Sequence, residues 1–249
     1  MTRRAVPNQF RLAAEGAYTM DEPISSKDSF QRVKELQNFI LSSEANIEHA
    51  QGLQWPDSCK LYQYISSISI EDLITVIDSL KKRDGEPRSI ALYQIWIQSN
   101  EKKSNQSFAA WYNIGVQHSA NGDLVQSIKA FQSALSLKPD LYQAAVNLGL
   151  AYEKLGQNDL ALKVWEDALQ PKEARISLLN HKARLSEKMK KYDEAEQALI
   201  ASLFLEPHQP DAIHHWISIR TKTCSWPIYG SIIPSLTIFE IIQEAYPFD

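Results

Sequence analysis

Residues 108–209 consist of three consecutive segments of equal length whose residue types match position by position, and the register continues from Pro210 to Arg220. The segments are 108–141, 142–175 and 176–209. A fixed period of this length is typical of arrays in which each unit buries its apolar face against its neighbours. The matching positions include Trp111, Gly115, Phe131, Ala134, Pro139, Gly149, Tyr152, Ala161, Trp165, Ala195 and Pro207.

Each repeated residue type has a physical role in a pair of antiparallel helices. Small residues at positions eight, twenty and twenty-seven allow the two helices to approach closely, and bulky residues at positions four and twenty-four fill the space between them. Gly122 and Gly156 at position fifteen allow the positive φ that ends a helix, whereas the third segment has Lys190 there. Pro139 and Pro207 stand where the second helix has to stop.

This pattern resembles the tetratricopeptide repeat. The resemblance implies an all-α protein, in which helix–turn–helix repeats stack into a right-handed superhelix (an α-solenoid) with a concave and a convex face. It also implies a function, namely binding of a partner protein or extended peptide in the concave groove. We therefore expect an interaction scaffold rather than an enzyme.

The rest of the chain divides around the repeats. We expect an N-terminal helical or irregular region at 1–69, a degenerate repeat-like helix pair at 70–107 and the repeat array at 108–220. Residues 221–249 are rich in isoleucine and are expected either to cap the last repeat or to lead into a further domain. Within the N-terminal region, residues 24–50 have apolar residues at helical spacing, and residues 1–23 are expected to be mobile.

A second resemblance covers roughly residues 72–230. The residues that carry it follow the third repeat: Tyr192-Asp193-Glu194-Ala195-Glu196, Leu205–Asp211, Ile213-His214-His215-Trp216, Arg220, and Cys224-Ser225-Trp226-Pro227-Ile228-Tyr229. This run is similar to the junction in bacterial SPINDLY-type relatives of the O-linked N-acetylglucosamine transferases. The resemblance implies an alternative function, the substrate-recognition arm of a protein O-glycosyltransferase whose catalytic domain, and every catalytic residue, lies outside this chain.

The same resemblance implies an asparagine ladder at position six that holds a peptide backbone. Here the position carries Asn113, Asn147 and His181, with Asn180 one place earlier. An amide side chain both donates and accepts, so it can bind a peptide group regardless of sequence. The alternative is that these residues satisfy only local groups. Helix geometry adds further candidates at positions five and nine: Tyr112, Val146, Leu150 and Arg184.

Composition and charge exclude several other functions. The net charge of −4 is spread along the chain with no basic half, which argues against a nucleic-acid partner. No apolar run is long enough to cross a membrane. Since we expect no cluster of lysine and arginine on one wall of the groove, an extended peptide of mixed polarity is the favoured ligand.

The cysteine and histidine residues predict neither a disulfide framework nor a metal site. Cys59 and Cys224 are far apart, so we expect reduced thiols in a cytoplasmic protein, with Cys224 buried. His214 and His215 point to different sides of a helix, and with His208 they do not form a ligand set. No cofactor is expected. Trp216, Trp226 and Tyr229 are expected to cap the last repeat, and association of the chain with itself is left open.

Overall fold

The computed structural model describes residues 26–42, 57–84, 87–100, 105–168, 172–228 and 237–245. The described residues form helices joined by turns, without strands, and the predicted all-α class of helical repeats is confirmed. The chain divides into two compact units between Lys138 and Pro139. The first unit contains the helices α1 Ser26–Ser42, α2 Asp57–Ser66, α3 Ile70–Asp84, α4 Pro87–Asn100, α5 Ser107–Ala120 and α6 Leu124–Leu137. The second unit contains α7 Tyr142–Lys154, α8 Asn158–Asp167, α9 Lys172–Lys188, α10 Tyr192–Leu205, α11 Pro210–Lys222 and α12 Ile238–Ala245.

The first unit has one continuous apolar core to which α1 to α6 all contribute. Leu36 and Ile40 from α1 meet Leu61 from α2 and Leu73 from α3 in this core. Trp96 on α4 is buried there, and its indole Nε1 donates to the carbonyl of Ile68 at 3.1 Å, so its polar group is satisfied. The helix pair α3–α4 covers the two helical segments read from the sequence.

Helix α1 departs from the expected apolar stripe at one residue. Phe30 stands at helical spacing from Val33, Leu36 and Ile40, but it is mostly exposed. Leu36 and Ile40 are fully buried in the core. Helix α2 lies in a stretch where the residue pattern did not predict a clear element. The expectation for residues 1–23 lies outside the described residues.

The first helix of each repeat ends in the same turn, which recurs at four places among the described residues. Residues 122, 156, 190 and 224 all have positive φ, and each follows the previous one by one repeat period. In each turn the backbone N–H of the following residue donates to the carbonyl five positions before it, as in Asp123 to His118 at 2.8 Å and Ser225 to Arg220 at 2.9 Å. This is the pattern of a left-handed helix cap. The repeat register therefore extends to Cys224, beyond the Arg220 limit set from the sequence.

Within a repeat, the first helix (the A helix: α5, α7, α9 or α11) packs on the second (the B helix: α6, α8 or α10) through positions eight and twenty-four. A Cβ atom added to Gly115 would lie 2.6 Å from the ring of Phe131. A Cβ atom added to Gly149 would overlap the indole of Trp165. In the third repeat the residue facing Ala183 is the smaller Leu199, in the same buried cluster. Thus the repeat with the larger residue at position eight has the smaller residue at position twenty-four.

The two prolines at position thirty-two follow the ends of their helices. Helix α6 ends at Leu137 before Pro139, and α10 ends at Leu205 before Pro207. Pro171, the corresponding residue of the second repeat, is outside the described residues.

The segment after α11 folds partly back on the last repeat. Ile241 of α12 is fully buried against a cluster that contains Ile213 and Trp216 of α11. The guanidinium of Arg220, also buried, donates to Glu196 Oε1 at 2.7 Å and to the carbonyls of Pro227 and Ile228.

Two expectations for this segment are wrong. Trp226 was expected to pack as part of the cap and is 76% exposed, and Cys224 was expected to be buried and is exposed. Cys224 lies in the cap turn that ends α11 and Trp226 follows that turn, and both side chains are exposed. Tyr229 is outside the described residues.

Replacing Lys190 by glycine should stabilise the protein. An L-residue in the left-handed region is strained, and glycine relieves that strain, so we expect Lys190→Gly to raise the free energy of unfolding by about 1 kcal/mol. Urea denaturation followed by circular dichroism measures it. The control is Lys191→Gly, at a residue with φ of −89°, which should give no gain. Equal gains from both variants would contradict the strain argument.

The contact between Gly149 and Trp165 predicts non-additive effects. Gly149→Ala should cost about 1–3 kcal/mol in the native sequence, because the methyl group overlaps the indole. In a Trp165→Leu background, which reproduces the Ala183–Leu199 pair, the same change should cost nothing, since alanine also favours helix by about 1 kcal/mol. A double-mutant cycle from urea denaturation measures the coupling. A cost of Gly149→Ala that is the same in both backgrounds would show that the two residues do not interact.

Candidate functional site

The A helices α7, α9 and α11 of the second unit are joined by ion pairs along one side. These pairs involve residues at positions six, nine, twelve and thirteen of the repeats. Position nine, with Leu150 and Arg184, was expected from the sequence to face the groove. We call this surface the A-helix face. It is formed by Asn147, Leu150, Glu153, Lys154, Arg184, Glu187, Lys188, His215 and Lys222.

Glu153 of α7 accepts hydrogen bonds from two basic residues of α9. The guanidinium of Arg184 binds it through two nitrogens, Nη1 at 2.9 Å from Oε1 and Nη2 at 2.5 Å from Oε2, and Lys188 Nζ lies 3.3 Å from Oε1. The Glu153 side chain is only 10% exposed, whereas those of Arg184 and Lys188 are 45% and 60% exposed. The hydrogen bond from Arg184 lowers the pKa of the Glu153 carboxyl, which keeps it ionised.

Glu187 forms a second cluster one repeat later. Its Oε2 lies 2.7 Å from Nε2 of His215, and its Oε1 accepts from Lys222 Nζ at 2.6 Å. Burial alone would raise the pKa of Glu187, but the hydrogen bonds from Lys222 and His215 outweigh it, so the pKa lies below its ordinary value. Glu187 thus connects α9 with α11 as Glu153 connects α7 with α9.

The two clusters are related by the repeat register. Glu153 and Glu187 occupy position twelve of successive repeats, and Lys154, Lys188 and Lys222 occupy position thirteen. The sequence analysis expected no cluster of basic residues on one wall. The structure differs, because Arg184 and Lys188 converge on one carboxylate. Aligning positions twelve and thirteen through the fourth repeat would have revealed this row from the sequence.

The residues expected to form an asparagine ladder have different surroundings. Asn147 is half-buried on α7. Asn180 donates from Nδ2 to Gln209 Oε1 at 3.0 Å, and Gln209 is itself bound to the carbonyls of Ser202 and Glu206. The Asn180 side chain is therefore part of a hydrogen-bond network at the C-terminal end of α10. An asparagine role in ligand binding stays a prediction for Asn113 and Asn147.

His181 at position six packs inward against the preceding repeat. Its ring stacks on Trp165, with centroids 5.4 Å apart and an interplanar angle of 27°. Burial, and to a smaller extent the charge of Arg184, lowers the pKa of His181 below its ordinary value of 6.5. The neutral ring is the form that fits this packing.

Two of the residues expected in the groove are part of the repeat interior. Tyr112 is almost fully buried, with its ring 5.8 Å from that of Phe131. Val146 is buried in a cluster with Ala161 and Trp165. Position five therefore faces the B helix, and neither side chain is available to a ligand. Leu150 is half-buried beside the same cluster, and Asn113 is half-buried on α5 of the first unit.

Within the described ranges, no three His, Cys, Asp or Glu residues are grouped so that they could hold a metal ion. His215 lies within hydrogen-bond distance of Glu187. None of the described helices combines the length and the apolar character that a bilayer span requires.

Comparison with protein families supports the repeat pattern. Residues 108–141 and 142–170 match the family model described as "Tetratricopeptide repeat". Tetratricopeptide repeats are present in this chain. The matched segments begin at the residues at which the first two repeats begin in the sequence analysis. No curated protein sequence matches the chain, and nothing in these comparisons supports the SPINDLY-type resemblance.

Two similar solved structures have TM-scores above 0.5 and share the helical fold. BtubC (BKLC) from P. vanneervenii has a TM-score of 0.57 and 10% identity, covering 81% of this chain and 84% of that one. The MamA RS-1 ArsTM double mutant has a TM-score of 0.52 and 16% identity, covering 70% and 90%. YrrB, described as a TPR protein with an unusual peptide-binding site, has a TM-score of 0.48 and 17% identity, covering 84% and 91%. At these identities the likeness concerns the fold alone.

The lowered pKa of His181 predicts how stability depends on pH. The unfolded chain, in which the pKa returns to about 6.5, binds the proton more readily than the folded chain. The contribution of His181 to the free energy of unfolding is therefore fully present above pH 6.5 and decreases as the pH falls below it. Urea denaturation at a series of pH values should show a shallower decline between pH 7 and 5 for His181→Gln than for the wild type. Identical slopes would show that His181 is not the group responsible.

Proposed function

We propose that this protein is a non-catalytic scaffold that binds an extended segment of a partner protein along the A-helix face of its second unit. The observation that carries the proposal is the set of polar side chains from three consecutive repeats, held in fixed positions by Glu153 and Glu187. A rigid row of donors loses little conformational entropy when a ligand binds. Tetratricopeptide repeats are typically used for protein interactions, which agrees with this function.

An extended peptide suits such a face because its backbone presents donors and acceptors at regular intervals. Asn147 can both donate to and accept from a peptide group, and Leu150 beside it offers apolar contact area. The proposal assigns no catalytic role to any residue. A cytoplasmic location and self-association remain predictions, and no specific observation favours the transferase-arm alternative.

Selection of peptides from a random library tests the proposal. Phage-displayed peptides are enriched on the full chain, and the affinities of the enriched peptides are measured by fluorescence anisotropy. We expect Asn147→Ala to weaken binding about tenfold, equivalent to about 1.4 kcal/mol, while the melting temperature changes little. The matched control is Lys163→Ala, at an exposed residue of α8 away from the A-helix face.

Enriched peptides that bind Asn147→Ala and the wild type equally would place the binding surface elsewhere. Equal losses of binding and of thermal stability would show that Asn147 has a structural role. Failure to enrich any peptide over an unrelated helical protein would contradict the proposed function.

A further inference from the structure

The A-helix face carries a row of lysines that the overall charge of the protein does not suggest. Lys154, Lys188 and Lys222 each lie at or next to the C-terminal end of an A helix, and all three are exposed. With Arg184, this face has four basic residues against the two acidic residues Glu153 and Glu187, in a chain whose net charge is −4.

The charges on this face are layered. The Glu153 and Glu187 carboxylates are the less exposed members of their clusters, and the ammonium and guanidinium groups bound to them are the more exposed members. A ligand that approaches the face therefore meets the basic groups first. Because partly exposed ion pairs contribute only about 0–1 kcal/mol to stability, we assign the carboxylates mainly to orienting the basic side chains.

Other lysines near the row have different partners. Lys191 lies 4.0 Å from Asp159 and 3.9 Å from Glu194, both of which are on B helices. Lys182 is paired with Glu166 of α8. These two lysines are paired with acidic residues of the B helices. On the A-helix face the basic residues at positions nine and thirteen outnumber Glu153 and Glu187, so the positive charge there is only partly compensated.

The spacing of the row sets the spacing of a complementary ligand. Packed neighbouring helices lie about 8–10 Å apart, and an extended chain advances about 3.3 Å per residue. One repeat therefore corresponds to about three residues of an extended peptide. Resting on the proposed function, we propose that the partner segment is acidic and extended, with carboxylates at every third residue that pair in turn with Lys154, Lys188 and Lys222.

Two peptides of identical composition test this proposal. One has glutamate at every third position in a serine and alanine background, and the other has the same glutamates side by side at one end. Binding of both labelled peptides to the full chain is measured by fluorescence anisotropy at low salt and again at about 0.15 M salt, where the Debye length is about 8 Å. We expect the spaced peptide to bind about fivefold or more tightly than the block peptide, with affinity falling as salt rises.

Lysine variants test whether the peptide binds to the row formed by Lys154, Lys188 and Lys222. Lys154→Gln and Lys188→Gln should each lower the affinity for the spaced peptide roughly three- to tenfold, since each removes one charge-assisted hydrogen bond to the peptide. Lys163→Gln on α8 is the matched control and should have no effect. Circular dichroism and melting temperature check that each variant is folded. Arg184 still binds Glu153 in Lys188→Gln, so this variant does not leave an isolated carboxylate.

Four results would overturn the proposal. Equal affinities for the spaced and block peptides would show that the spacing of the carboxylates does not matter. Unchanged affinity in both lysine variants would show that the lysine row does not bind the peptide. Equally tight, lysine-dependent binding of a single-stranded RNA oligonucleotide would show a general polyanion surface instead of a peptide site. If neither acidic peptide binds but library peptides still bind in an Asn147-dependent manner, the proposed function stands and only the acidic partner is wrong.

Discussion

The contact between a residue with little or no side chain at position eight and a bulky residue at position twenty-four supports the rest of the repeat structure. Gly149 lies directly against the indole of Trp165, and Gly115 lies against the ring of Phe131. With the A and B helices this close, the large apolar residues are buried between them, and the opposite side of each A helix is left for polar residues. The position of the A-helix face thus follows from the packing inside each repeat.

The cap turn recurs at the same position in successive repeats. Positive φ at residues 122, 156, 190 and 224 ends every A helix at the same point of the register. As a result, position thirteen, with Lys154, Lys188 and Lys222, is at or next to the last residue of three successive helices. The protein accepts this turn at Lys190 and Cys224 without glycine, which indicates that tertiary packing supplies the energy needed for the left-handed conformation.

The chemistry of the A-helix face depends on which charges are covered. Glu153 and Glu187 are partly covered by the basic side chains that they bind, so the face is more basic than its composition indicates. The same carboxylates join α7 to α9 and α9 to α11. The same ion pairs therefore link successive A helices and orient the groups offered to a partner.

The sequence by itself determined the repeat register, the paired helices and the positions of the turns, because these depend on spacing along one chain. It did not determine which side chains are available to a ligand. Tyr112 and Val146 are buried against B helices, and Asn180 is bound to Gln209 from the following turn. These outcomes depend on the rotation of each helix about its axis and on partners distant in sequence, which only packing in three dimensions decides.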